Sequence, residues 1–314
     1  MRNKRLAVFI SLMVFGFFAA TMAVAQQKKP VTLATATIGG AYYPVGQAMT
    51  TVINKYVKSI AMTPEVTNGG VENCRLVGDG DTDFGITNAN LAFFAFHGQK
   101  PFNKKIDNLV AMGNLHPSVF QLVVLANSPI KSFSDLKGKK VAVGPAGGGT
   151  LAHLQVIFEE YGMKVSDINA NYLPYTDGFT QLGDGNIDAA FALGGYPTAA
   201  ITEIATTQKI RLIVPGADKF VSLLKKYPYY SKITIPKEVY KQDKDIDCLG
   251  VNNIFFTKKK MDANLVYEVT KALYDHLDEL AAANATTKQI DRRSLSQVPI
   301  PIHPGAKRYF DEKK

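Results

Sequence analysis

One succession of strand, glycine turn and helix occurs twice in this 314-residue chain. Val31–Thr37 reads as a strand that runs into Gly39-Gly40, and the stretch Pro44–Tyr56 then shows helical spacing of Val45, Ala48, Met49, Val52, Ile53 and Tyr56. The order recurs with Lys140–Gly144 as strand, Gly147-Gly148-Gly149 as loop and Thr150–Tyr161 as helix, its apolar side formed by Leu151, Leu154, Ile157, Phe158 and Tyr161. A second echo is closer in letters: Leu76-Val-Gly-Asp-Gly-Asp-Thr-Asp83 against Gln181-Leu-Gly-Asp-Gly-Asn-Ile-Asp188, each ending a helix on glycine and restarting as a buried strand. Between them lies a third unit, Glu65–Thr67 leading to Asn68-Gly69-Gly70, with Asn171–Leu173 leading to Tyr175–Gly178 as its counterpart. Three ordered units at one spacing predict two α/β lobes of like topology.

In such lobes the loops at the carboxyl ends of parallel strands gather on one edge, and two facing edges make a cleft. Phe120–Leu125 is expected to carry the chain out of the first lobe and Leu249–Thr257 to bring it back. This division gives lobe I as 26–124 plus 248–314 and lobe II as 125–247, with a closing helix from Asn264 to Ala283 packed on lobe I.

Residues 1–25 read as a secretory signal: Arg2, Lys4 and Arg5 precede an apolar run, and Ala23-Val24-Ala25 supplies a small-residue cleavage site. The protein is therefore expected in the periplasm. Removing the signal lowers the formal net charge from +9 to about +6, and the remaining lysines are scattered without interleaved aromatics, so no nucleic-acid partner is expected. A hydrophobic content of 46% over this length suits two globular cores. The two cysteines, Cys74 and Cys248, are too far apart for a CxxC metal or redox motif, and buried free thiols are at least as compatible with their positions as a bridge.

The loops expected to line the cleft are all neutral: Gly39–Tyr43, Asn68–Gly70, Thr87–Asn90, Gly147–Thr150 and Gly194–Tyr196. Several sit just before a helix, where unpaired N–H groups and the positive end of the helix dipole attract an anion. Glycine lets a ligand approach the backbone, while tyrosine and asparagine fix its orientation. The candidate ligand-binding residues are Gly40, Tyr43, Asn68, Gly69, Gly70, Asn88, Asn90, Gly147, Gly148, Gly149, Thr150, Gly194, Gly195 and Tyr196. No dinucleotide fingerprint, phosphate loop or nucleophile elbow is present, and the five histidines are too dispersed for a metal motif. A non-enzymatic binding protein is expected, without cofactor or metal. Asp79, Asp81 and Asp83 lack the later glutamate of a calcium loop and read as turn residues.

The strings Gly39–Pro44, Asn68–Asn73, Gly147–Thr150, Gly194–Thr198, Tyr227–Ser231 and Pro299–Ala306, in order from about residue 31 to the end, resemble the TAXI family of TRAP-transporter-associated solute-binding proteins. That resemblance implies a two-lobed periplasmic solute-binding protein fold, type II-like, with a ligand cleft between the lobes. It further implies a receptor that captures a small carboxylate or amino acid such as glutamate and passes it to an ion-gradient-driven TRAP permease membrane subunit; a monomer is expected. His116, Ser118 and Gln121 depart from the family pattern, as does Asn88-Ala89-Asn90, in the direction of a smaller or less polar acid. The alternatives are a periplasmic enzyme acting on an amino acid, or a ligand-sensing subunit of a membrane kinase.

Overall fold

The computed structural model describes residues 28–227, 229–291, 295 and 298–313. The expected signal segment lies outside them. The first half of the chain builds β1 (Lys29–Ala34), α1 (Tyr42–Tyr56), β2 (Ile60–Glu65), α2 (Gly70–Asp79), β3 (Phe84–Asn88) and α3 (Ala89–His97). After the long strand β4 (Leu109–Leu125) the pattern repeats as β5 (Lys140–Ala142), α4 (Thr150–Glu160), β6 (Asn169–Asn171), α5 (Tyr175–Gly183), β7 (Ala189–Gly194) and α6 (Ala199–Thr207). There follow β8 (Ile210–Ile213), α7 (Ala217–Lys226), β9 (Tyr230–Ile235), the second long strand β10 (Ile246–Lys258), α8 (Ala263–Asp275), α9 (Leu277–Ala283) and α10 (Pro304–Glu312).

Among the described residues ten strands join in one sheet with the path β2-β1-β3-β10-β4-β7-β5-β6, with β8 beside β4 and β9 beside β10. The path is a palindrome of equivalents: β2, β1 and β3 are parallel to one another on one side, as β6, β5 and β7 are on the other. The antiparallel pair β10 and β4 forms the spine between them. β4 pairs with β10 up to Val119 and with β7 from Val119 onward. β10 passes from β9 to β4 at Gly250, the residue opposite Val119. Both crossovers therefore change neighbours at the same level. β4 is much longer than the Phe120–Leu125 segment that stands out in the sequence, because in Leu109–Val119 the alternating polar residues Asn114, His116 and Ser118 are themselves buried and Gly113 and Pro117 interrupt the strand signal.

The repeated aspartates have one job in both halves. Asp83 Oδ2 accepts from the Thr32 amide of β1 at 3.1 Å, and Asp188 Oδ2 accepts from the Lys140 amide of β5 at 2.8 Å. Each closes the free end of its strand pair, so the Gly-Asp-Gly strings are turn chemistry, and the glycines before them, Gly80 and Gly185, sit at φ 93° and 75°, where side chains are disfavoured.

One apolar layer, containing Val77 of α2, Leu91 of α3 and Ile157 of α4, runs along one face of the whole sheet. On the opposite face α1, α8 and α10 cover the first half and α5 and α6 the second. The closing helix breaks at His276, whose φ of −121° leaves the helical region, dividing it into α8 and α9. The break lets the imidazole stack on Tyr56 at 3.5 Å between ring centroids and brings Glu279 to Lys55 at 2.8 Å, so tertiary contacts override a continuous helical pattern. Cys74 and Cys248 are buried free thiols, and burial pushes both up to about 12.

Candidate functional site

Four helices point their amino ends at one place. α1, α2, α3 and α4 start after Ala41, Gly69, Asn88 and Gly149, and none of these four residues caps its helix with a side-chain hydrogen bond. Apart from the Glu72 amide of α2, which is spent on the Gly147 carbonyl, their first-turn N–H groups and dipoles are left to act outward. Pro44 falls in the first turn of α1, where a missing N–H costs no intrahelical bond, so the helix begins at Tyr42 ahead of it.

The pocket at this convergence is lined by Ala36, Thr37, Gly40, Ala41, Tyr42, Asn68, Gly69, Gly70 and Asn88 from the first half and Pro145, Gly148, Gly149, Tyr175 and Leu193 from the second. None carries a formal charge. The halves touch across it: the Glu72 amide donates to the Gly147 carbonyl at 3.3 Å, and a Cβ built on Gly149 would stand 2.8 Å from Asn88 Oδ1 and 2.9 Å from Leu91 Cδ1. The space left between the two edges is about 30 Å³, room for little more than a water.

The floor is a polar network centred on Asn253 of β10. Its Nδ2 donates to the His116 carbonyl at 2.7 Å, and its Oδ1 accepts from Tyr42 at 2.6 Å, Asn88 Nδ2 at 2.7 Å and Ser118 at 2.9 Å. Burial holds the Tyr42 phenol well above its ordinary pKa, against the opposing hydrogen bond with Ser118, so it stays a neutral donor. Beside it, edge-on at 6.3 Å, the fully buried His116 ring is pushed down to about 4 by desolvation and is neutral at physiological pH. Asn73 anchors the neighbouring loop: its Nδ2 donates to Thr35 O at 2.6 Å and Ile86 O at 2.7 Å, while Thr67 donates to its Oδ1 at 2.7 Å. In the second half the Tyr175 hydroxyl is consumed locally, bonded to the Leu193 amide at 3.0 Å, the Leu193 carbonyl at 3.1 Å and Thr150 Oγ1 at 2.5 Å.

Of the residues expected from sequence, Gly40, Asn68, Gly69, Gly70, Asn88, Gly148 and Gly149 come together at this pocket. Gly147 lies at its mouth through the carbonyl contact to Glu72, and Thr150 sits behind it on Tyr175. Tyr43 is half-buried beside the pocket, whose wall is made by Tyr42 instead, because Tyr42 occupies the inward phase of α1. Asn90 is buried in the first turn of α3 with neither amide atom hydrogen-bonded. Gly194 lies within β7, and the loop after it turns away: Gln289 donates to the Tyr196 carbonyl at 3.0 Å, and Thr286 packs against Gly195, leaving no room for a side chain. The residues that sequence reasoning left out are Ala36, Thr37, Ala41, Tyr42, Pro145, Tyr175 and Leu193. Two could have been found from the repeat, since Leu193 stands where Asn88 stands in the first half and Tyr175 where Gly70 stands.

Comparison with known proteins places this architecture. A protein of Bordetella bronchiseptica RB50 has a solved structure that superposes with a TM-score of 0.58 at 15% identity, over 91% of this chain and 98% of that one. A Listeria monocytogenes protein whose name assigns it to an L-cystine ABC transporter superposes at 0.52 with 17% identity, over 84% and 97%. The chain has the two-lobed α/β periplasmic solute-binding protein fold. An Escherichia coli K12 protein named for binding aliphatic sulfonates is 31% identical over 102 residues, 32% of this chain and only 30% of that relative. The resemblance to the TAXI family is overturned, and the TRAP permease and glutamate assignments drawn from it fall with it. The strings that suggested it are mostly glycine turns between strand and helix, which any lobe of this geometry needs where backbone must approach backbone, so they report the fold more than the lineage. The family model that matches does so over residues 33–313, and the chain belongs to the NMT1-like family.

Proposed function

We propose that this protein is an extracytoplasmic solute receptor of an ABC-type importer, closing on a small organic acid, a sulfonate or a carboxylate, and presenting it to a membrane permease. The observation that carries this reading is the convergence of four uncapped helix amino ends on a glycine-lined space without charged side chains. Such a site binds an acid group through main-chain N–H donors and dipoles, with no cation needed. The sulfonate-named and cystine-transporter relatives are of the kind this reading requires. The lobes expected at 26–124 with 248–314 and 125–247 open instead about the level of Val119 and Gly250, where β4 and β10 change partners together, so that 120–124 and 248–249 go with the second lobe. Opening is required for entry, because the space between the edges is too small for any organic acid. The ligand, touching both edges, stabilises the closed state by its differential affinity.

The test is a thermal-shift screen of the purified protein against short alkanesulfonates, aminosulfonates, amino acids and simple carboxylates, followed by calorimetry. A true ligand raises Tm with the logarithm of its concentration over Kd. Silence across all four classes defeats the receptor reading, and chemical conversion of a bound ligand defeats the non-enzymatic one.

A further inference from the structure

The floor network settles which way Asn88 faces, and with it the second pole of the ligand. The starting point is a group whose role cannot be exchanged: the His116 backbone carbonyl is only an acceptor, so the Asn253 amide atom 2.7 Å from it is the NH₂. The other Asn253 amide atom is then the oxygen, an acceptor. Asn88, 2.7 Å from that oxygen, must turn its own NH₂ toward it. Tyr42 and Ser118 meet the same oxygen at 2.6 and 2.9 Å and, as hydroxyls, donate to it. A chain of forced choices thus runs from a carbonyl of β4 to the pocket wall, where Asn88 is left showing its carbonyl oxygen. That oxygen accepts no hydrogen bond from the described residues, although Asn88 is only 2% exposed, and it stands opposite Gly149 across the two edges. In the other half Leu193 takes the equivalent place and offers nothing polar from its side chain.

The pocket therefore has two unlike poles: helix amino ends that take an anion, and one fixed acceptor that repels one. Its lining holds no ionised side chain to offset a net charge on the ligand, so an ion carrying its own counter-charge loses less on desolvation than a bare anion. We propose that the ligand is a small zwitterion, an aminosulfonate or amino acid, whose ammonium donates to Asn88 Oδ1, and that Asn253 is the positioning residue that sets this choice. This rests on the receptor reading above and sharpens it.

Matched pairs differing only in the amino group separate the two: taurine against ethanesulfonate and alanine against propionate, measured by calorimetry on the purified protein. The amino member of at least one pair should bind about tenfold or more tighter, the share of one charge-assisted hydrogen bond. Equal or tighter binding of the desamino members overturns the zwitterion proposal and leaves the receptor reading standing; no binding by either member of both pairs overturns the zwitterion proposal, and silence of the wider four-class screen as well overturns the two together. Asn88→Leu should collapse the ratio toward one, and Asn88→Asp, which gives up the donor to Asn253 but offers the ammonium a charged acceptor, should keep or raise it. Asn253→Leu, which frees the Asn88 amide to flip, should also lower the ratio, a shift in selectivity that a merely structural role would not produce. A ratio unchanged in Asn88→Leu refutes the assignment, and the wild-type pairs decide it even where a variant fails to fold.

Discussion

The two halves of the sheet share a strand order, a pair of strand-closing aspartates and left-handed glycines at matching turns, yet they treat their polar groups in opposite ways. In the second half Tyr175, Thr150 and the Leu193 backbone satisfy one another, so that wall is rigid and offers the pocket shape and main-chain amides. In the first half Tyr42 and Asn88 spend their donors on Asn253 and leave an acceptor over. A duplicated scaffold thus brings helix amino ends to the pocket unequally, three from the first half and one from the second, and the free side-chain acceptor lies in the first. Buried polar groups without a partner are costly, and they persist where a ligand completes them.

The comparison can be broken most sharply at the point where the halves touch. Gly149→Val would drive a branched side chain into Asn88 Oδ1 and Leu91, so closure should be blocked and affinity for any ligand should fall about 100-fold, or roughly 3 kcal/mol. Small-angle scattering with and without ligand checks this, since the variant should lose ligand-induced compaction while keeping its fold. Retained compaction would mean that the edges do not meet as described.

A smaller effect concerns the buried imidazoles. His116 on the shared spine is held at about 4 and His153, on α4 of the second half, at about 3, both by desolvation. Because these folded values lie below the unfolded value of about 6.5, the unfolded chain binds more protons as pH falls below that value, so stability declines from about pH 6.5 toward 4 and is unaffected above it. Together the two could remove about 2 to 5 kcal/mol over that window. Thermal unfolding followed across pH should show the decline, and His153→Gln should flatten it without changing the plateau slope at higher pH; an equally steep decline in the variant would assign it to other groups.

The smallest expected difference lies between the repeated aspartates. Asp83→Ala and Asp188→Ala each orphan a strand amide, costing about 1 to 2 kcal/mol. Asp83 should cost more, since it is less exposed and also stands 3.9 Å from Lys258 Nζ, whereas the Asp188 bond is exposed. Denaturant melts of the two variants rank them, and the reverse order would undo the equivalence drawn between the two strand ends.

Much of this was legible in the chain. Glycine at a strand-to-helix turn and aspartate after a left-handed glycine are local requirements of backbone geometry, so the repeat shows in the letters and predicts the paired lobes, and Gly40, Gly69, Gly70, Gly148 and Gly149 follow from it. What misled was to treat every such turn as part of the site. Gly194–Tyr196 has the same local grammar, but the segment around Thr286 and Gln289, nearly a hundred residues later, packs over it. The lineage was misread for a related reason: turn glycines are shared by all chains that must bring backbone close to backbone.

By itself the sequence determined the alternation of elements, the duplication and the glycine-rich, charge-free edges, because these depend on interactions within a few tens of residues. Only the tertiary structure decided that Tyr42, Asn88, Ser118, His116 and Asn253, spread over more than 200 positions, share one hydrogen-bonded floor, and hence which atom of Asn88 is turned away from it. The direction of an amide is set by partners brought together by the crossover strands, and no local pattern encodes them.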